Sequence, residues 1–498
     1  MTPDVIIIGS GMGGATMAAA LAPTGRRILI LERGERLPDT PEARDPVAIF
    51  ARGHYRPDEF WLDGDSKPFN PGNYYVAGGN SKFYGAVLIR YRAEDFAPLQ
   101  HMGGITPGWP VSYSQMEPYY QAAEDMYHVR GILGEDPTEP AHSGDYNFPP
   151  VPDEPAIADL RHRMQSVGLH PSSLPLGVDI AAWLKGGQTP WDAFPGTTDG
   201  KMDAETVGLA YALQHPNVTL QTSTRVLRLI AGEGGKITGV EVDRAGIIQV
   251  LTAPIIVLCA GAVQTAALLL ASADAAHPGG LANRSDQVGR NFMNHNLSAV
   301  LAMHPFRRNP SVYQKTIQIN DFYLSGGPND EPLGNIQLLG KISGQILASD
   351  TPIPLPVARW IANRSVDLLA MSEDLPNPDS RVTLKKGQIA LDWKRSNWPA
   401  HLALVAKLKA KLRRAGYPIV LSRAFDRRTP SHQCGTARMG ADPATSVVNP
   451  DCRANDHANL YIVDASVLPT SAAVNPALTI AALALRTAQH ITDTEFPA

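Results

Sequence analysis

The run Val5-Ile6-Ile7-Ile8 passes directly into Gly9-Ser10-Gly11-Met12-Gly13-Gly14, an alanine-rich stretch follows to Ala22, and a second apolar run ends on Glu32. The continuous β-branched run predicts a strand buried on both faces, and such strands belong to parallel sheets covered by helices. Each glycine then has a task. Gly9 makes the tight turn out of the strand, Gly11 lets the backbone approach a pyrophosphate, and Gly14 allows the helix to lie close on the strand. The helix start offers unpaired N–H groups and the positive end of its dipole to phosphate oxygens. Glu32, 18 residues after Gly14, is placed to accept hydrogen bonds from an adenosine ribose, with Arg33 beside it. The pattern predicts a βαβ unit that binds a dinucleotide, inside an α/β fold.

The remainder of the chain narrows which dinucleotide. At 498 residues there is room for two or three domains, far more chain than a simple NAD dehydrogenase needs. A reductase passing electrons from NAD(P)H to FAD needs a second fingerprint of this kind, and none is present. One fingerprint with a large insertion points to a resident flavin that takes electrons from a substrate. A net charge of −4 without a basic tract argues against nucleic acid as a partner. The three cysteines, Cys259, Cys434 and Cys452, form no CxxC, which excludes a disulfide scaffold and fits a reducing, cytoplasmic setting. There is no HExxH and no Cys/His ligand cluster, so no metal is expected, and no GxSxG elbow for a serine hydrolase. The apolar run Ile255–Leu270 is too short to span a membrane and carries Gln264-Thr265 at its middle. It reads as a strand, a turn at Gly261 and a helix, so no membrane partner is expected.

Two further segments carry chemistry. Gly78-Gly79-Asn80-Ser81 is a second glycine-rich turn, of the kind that lets backbone approach a flavin ring. Near the C-terminal end, His432 opens His-Gln-Cys-Gly-Thr, and 43 residues later Asn475-Pro476 precedes a helical pattern. Asn favours the N-cap and Pro the first helical position, so Asn475 is expected to cap that helix. His432 stands out among 14 histidines by lying between glycine-rich turns where the chain returns to the nucleotide-binding part.

Taken in order, Gly9–Gly14 with Glu32, Gly78–Ser81, Cys259-Ala260-Gly261-Ala262, Val288-Gly289-Arg290-Asn291, Val463-Asp464-Ala465-Ser466 and Asn475-Pro476-Ala477-Leu478-Thr479 resemble the glucose–methanol–choline (GMC) family of FAD-dependent oxidoreductases nearly end to end. Within it the His/Asn pair resembles pyranose oxidases and cholesterol oxidases, where other members carry His/His, and Gly79–Gly85, Gln314-Lys315-Thr316 with Asn320–Tyr323, and Ser372–Pro376 look most like short bacterial pyranose and glycoside oxidases. The resemblance implies His432 as the base that takes a hydroxyl proton while flavin N5 accepts the hydride, and Asn475 holding the same oxygen. It implies Gly79, Asn80, Ser81, Ala260, Pro476 and Thr479 around the cofactor, Asp464 and Ala465 along its ribityl chain, and Val226 at its adenine end. Gln337 and Asn294 become candidates for sugar hydroxyls. Fungal pyranose oxidases attach FAD through a His in the turn after the paired glycines. Here that turn reads Ser81-Lys82-Phe83-Tyr84, so non-covalent FAD is expected.

The expected architecture is α/β: a discontinuous Rossmann-like FAD domain built from residues 1–100, 206–296 and 426–498, and a substrate domain with a mostly antiparallel sheet built from 101–205 and 297–425. The expected activity is oxidation of a secondary hydroxyl of a pyranose or glycoside, with oxygen or a quinone-type acceptor. A GMC alcohol dehydrogenase acting on a non-sugar alcohol, a redox-silent FAD-containing lyase and a non-catalytic flavin binder stay open.

Overall fold

Residues 2–187, 190–426 and 432–496 are described by the computed structural model. Val5–Ile8 is the middle strand of a five-stranded sheet in the order Leu460–Ile462, Ile255–Leu258, Val5–Ile8, Ile28–Leu31, Val218–Gln221. Every pair in it is parallel. Val5, Ile6 and Ile7 are fully buried, as a β-branched run covered on both faces should be. The strands come from three separated stretches of the chain. The helix Met12–Leu21 packs on the sheet and against the last helix, Ala477–Glu495, which in turn packs on Tyr113–Met126. A Cβ on Gly14 would stand 2.0 Å from the Gly9 carbonyl oxygen, and one on Gly13 2.0 Å from that of Val463. Only glycine permits the helix to lie this close.

The second layer is a six-stranded antiparallel sheet in the order Ile419–Ala424, Asn296–Met303, Ser365–Ser372, Asn335–Leu338, Ile317–Ile319, Pro171–Ser173. One face of it, with Ile317, Ile319, Ile336 and Leu338, joins Leu404, Leu408 and Leu412 of the helix Trp398–Arg414 in a core of its own. The alternate residues Gln318, Asn320, Asn335 and Gln337 are buried, so the sheet has polar groups where period-2 alternation would leave a solvated face. The expected α/β architecture, a parallel sheet beside an antiparallel one, is what the chain adopts.

One local expectation is corrected. The last helix begins at Ala477 with Pro476 at its N-cap, and no side chain caps it. Asn475 lies one residue outside the helix because its amide is engaged by His432 and Gln337 instead. Among the described residues no helix is long and apolar enough to cross a membrane.

Candidate active site

A cavity of about 1000 Å³ runs between the two layers. At one end Glu32, Arg33 and Val226 line it; in the middle are Gly9, Gly11, Gly79, Asn80, Ser81, Ala260, Asp464 and Ala465; at the other end are His432, Asn475 and Pro476. Four of the residues expected to contribute stand off the wall. Gly14 is consumed by helix packing, and the Thr479 hydroxyl meets that of Tyr120 at 2.8 Å. Gln337 lies behind Asn475, and Asn294 is buried with its backbone N–H on Asp374 Oδ2 at 3.0 Å.

The Glu32 end is built from glycine turns tied to one another. Ser10 donates to Glu32 Oε2 through its backbone N–H at 3.0 Å and through its hydroxyl, and Gly34 N–H meets Oε1 at 2.9 Å. Burial nevertheless pushes the Glu32 carboxyl above its usual range, against the pull of these donors. Gly78 N–H donates to the same Ser10 hydroxyl at 3.1 Å, and a Cβ on Gly79 would come within 3.3 Å of Gly11 Cα. A Cβ on Gly11 would meet no protein atom within 4 Å. Gly11 is therefore open toward the cavity, as a residue over which a pyrophosphate passes must be. Asp464 accepts from Gly261 N–H at 2.9 Å and from the Thr265 hydroxyl at 2.6 Å, which fastens the last strand to the helix after the Ile255–Leu258 strand. Lys82, under the second turn, is buried and paired with Asp203 Oδ2 at 3.2 Å and Glu205 Oε2 at 2.8 Å.

At the far end, the Asn475 side-chain nitrogen stands 3.1 Å from His432 Nε2. His432 Nδ1 is 2.7 Å from Nδ1 of His295, and His295 Nε2 is 2.9 Å and 2.8 Å from the carbonyl oxygens of Ser471 and Ala472. Carbonyls only accept, so His295 carries its proton on Nε2. Burial pushes His295 down to about 4, so the ring is neutral and its Nδ1 can only accept. His432 therefore carries its proton on Nδ1, leaving the lone pair on Nε2 at the cavity wall. Burial, then His295, then Lys315 hold His432 well below the usual imidazole range. Its backbone is strained as well: His432 (φ 63°) and Ala472 (φ 52°) are both in the left-handed region, a cost that concentrates at functional sites. The cavity wall here also includes the buried pair Lys315–Asp192, 2.9 Å apart, and the apolar side chains of Leu339, Leu369 and Phe425.

The sequence profile of the GMC oxidoreductases matches residues 187–297 for its N-terminal part and 376–484 for its C-terminal part, and an NAD(P)-binding Rossmann-like profile matches residues 7–45. The chain is 31% identical to paromamine 6′-oxidase of Streptomyces fradiae, over 98% of this chain and 91% of that one. The chain belongs to the GMC oxidoreductase family. A second relative, 2-methyl-1,2-propanediol dehydrogenase of Mycolicibacterium austroafricanum, is 27% identical over 98% of this chain and 95% of its own. Among solved structures, pyridoxine 4-oxidase from Mesorbium loti superposes with a TM-score of 0.69 at 21% identity, covering 99% of both chains; that likeness concerns the fold. GMC oxidoreductases depend on FAD and act on CH–OH groups. The glycine turns, the open approach over Gly11, the Glu32 carboxylate and the length of the cavity fit that cofactor.

Two site residues carry no signal of their own in the sequence. His295 lies 137 residues from His432, just ahead of the strand Asn296–Met303, and Asp192 sits in a segment without a recognisable pattern. Lys315 falls in Gln314-Lys315-Thr316, a stretch the resemblance picks out without giving the lysine a role. What is visible is the alternation Gln318/Asn320 and Asn335/Gln337, polar residues spaced by two within apolar strands.

Proposed function

We propose that this GMC oxidoreductase oxidises a secondary hydroxyl of a pyranose sugar or glycoside to the ketone, using non-covalently held FAD and passing the electrons to oxygen or a quinone-type acceptor. The observation that carries the reading is the pairing, on one stretch of wall, of the His432 Nε2 lone pair with an amide N–H of Asn475. Alcohol oxidation removes two hydrogens as different species, a proton from oxygen and a hydride from carbon. A substrate hydroxyl entering between the two takes the place of the amide on Nε2, donates its proton to His432 Nε2 and accepts from the Asn475 N–H so released. The amide N–H then stabilises the charge that grows on oxygen as the proton leaves. His295 Nδ1 keeps the imidazole oriented throughout by accepting from His432 Nδ1. Bound FAD supplies the hydride acceptor. Apolar Leu339, Leu369 and Phe425 on the same cavity wall as the polar pair Lys315–Asp192 suit a sugar ring with hydrophobic faces and a rim of hydroxyls. The aminoglycoside named for the Streptomyces relative supports the sugar class.

The alkanediol named for the Mycolicibacterium relative supports a second reading, a dehydrogenase of non-sugar alcohols. One experiment separates them: anaerobic titration of the yellow protein with glucose, a panel of glycosides and short diols, followed by flavin absorbance, then admission of oxygen and a peroxide assay. Bleaching by sugars supports the proposal, and bleaching by diols alone replaces it. Absence of bleaching by any alcohol favours a redox-silent lyase. His432→Ala should slow bleaching by roughly 10²–10⁴-fold, the usual contribution of a general base.

A further inference from the structure

The catalytic pair is fed by a second hydrogen-bond chain, which begins at a buried ion pair in the substrate layer. Asp136 is buried, paired with Arg92, and accepts from the Thr138 backbone N–H and hydroxyl, each at 2.9 Å. Asn320 Nδ2 donates to Asp136 Oδ2 at 2.6 Å, and Asn320 Oδ1 accepts from Asn335 Nδ2 at 2.7 Å. Asn335 Oδ1 accepts from Gln337 Nε2 at 2.9 Å, and the same nitrogen donates to Asn475 Oδ1 at 2.9 Å. Asn475 Nδ2 then meets His432 Nε2 at 3.1 Å.

An amide has a donor end and an acceptor end, so one fixed terminus sets the direction of a whole row. An ionised carboxylate only accepts. Asn320 must turn its nitrogen to Asp136, Asn335 its nitrogen to Asn320, and Gln337 its nitrogen to both Asn335 and Asn475. Turning Gln337 over would set its oxygen against two other amide oxygens. Its own Oε1 is left without a partner among the described residues, whereas the reversed orientation would trade two hydrogen bonds for two oxygen–oxygen contacts. The outcome at Asn475 is an oxygen held from behind and an N–H presented to the cavity. The carbonyls of Ser471 and Ala472 dictate, through His295, that His432 Nε2 needs a donor there. Two chains with unrelated termini agree at one contact.

We propose that Asp136, Asn320, Asn335 and Gln337 are positioning residues for the oxidation, which fix the direction of the Asn475 amide so that its N–H faces the substrate oxygen. The proposal rests on the roles given to His432 and Asn475 above. Cross-strand pairing places these amides on one face, with Gln318 opposite Gln337 in register. Gln318 Nε2 adds a further donor to Asp136 Oδ2 at 3.3 Å.

The test is a double-mutant cycle on the holoenzyme, with flavin absorbance as the check of folding and rapid anaerobic reduction as the readout. Asn320→Ala should lower the reduction rate about tenfold or more, as expected for a mis-set reacting group. Made in an Asn475→Ala background, the same substitution should change nothing, because it acts only through Asn475. Equal losses in both backgrounds, or no loss in the single variant, overturn the proposal. If Asn320→Ala does not yield a folded flavoprotein, Gln337→Met, which cuts the row beside Asn475 at similar volume, is held to the same two outcomes. Unchanged reduction in Asn475→Ala itself would instead overturn the catalytic reading on which this rests.

Discussion

To serve as the proposed base, His432 has to carry a lone pair on one nitrogen and a hydrogen bond on the other, and both conditions are imposed by residues distant in sequence. Because burial, His295 and Lys315 depress its proton affinity, the base stays unprotonated as pH falls through 6.5, where an ordinary imidazole would be half protonated. The acid limb of kcat/KM for anaerobic flavin reduction should accordingly lie below pH 6.5. Replacing Lys315 by Met, with Asp192→Asn so that no carboxylate is stranded, removes a positive neighbour and raises the affinity of His432 for a proton. The acid limb of that variant should lie at higher pH than in Asp192→Asn alone; equal limbs in the two would show that Lys315 does not act on the base. At this scale the pair His432 and Asn475 is legible from glycine-rich context and from Asn-Pro ahead of a helix. Its setting is not, because a tautomer depends on which acceptors a fold brings to the other ring nitrogen.

Elements show where sequence rules hold and where tertiary contacts override them. Two glycines of the first turn, given different tasks by the sequence pattern, have opposite surroundings. On Gly14 a Cβ would stand 2.0 Å from a backbone oxygen, whereas on Gly11 it would point into open cavity. Gly14→Ala should force the helix off the sheet, with the 1–3 kcal/mol or more typical of overpacking, seen as a lower Tm with and without cofactor. Gly11→Ala should leave the Tm of the FAD-free protein unchanged and weaken FAD binding, measured by fluorescence titration. Equal effects on the FAD-free fold would remove the distinction. The same override explains Asn475. Capping preference predicts a side chain folded back on its own helix, but Gln337 and His432 offer better partners, and the helix starts one residue later without a side-chain cap.

For the whole molecule, the strands of the parallel sheet are legible because each is a short local run of mostly apolar or β-branched residues. The pairing of the six-stranded sheet is not, since neighbours such as Asn296–Met303 and Ile419–Ala424 are far apart in sequence. The cavity between these layers has both for walls, so cofactor and fold should stabilise one another. Free FAD at about 100 times its Kd should add about 2.7 kcal/mol, read as a Tm that climbs with FAD concentration. Acid precipitation should release the yellow chromophore into the supernatant; retention in the pellet would mean a covalent link and overturn the non-covalent assignment. The threading of the sheet also has a consequence for biosynthesis. Its middle strand is made within the first ten residues, yet the strand Leu460–Ile462 and the Ser471–Asn475 segment complete the site. A nascent chain therefore leaves the ribosome with the Gly9–Gly14 turn waiting, unable to enclose FAD until residue 475 has emerged. Closure of the proposed flavin site should follow synthesis of that segment, and a chain cut before Leu460 should keep the Gly9–Gly14 turn without the segment that closes the cavity over it.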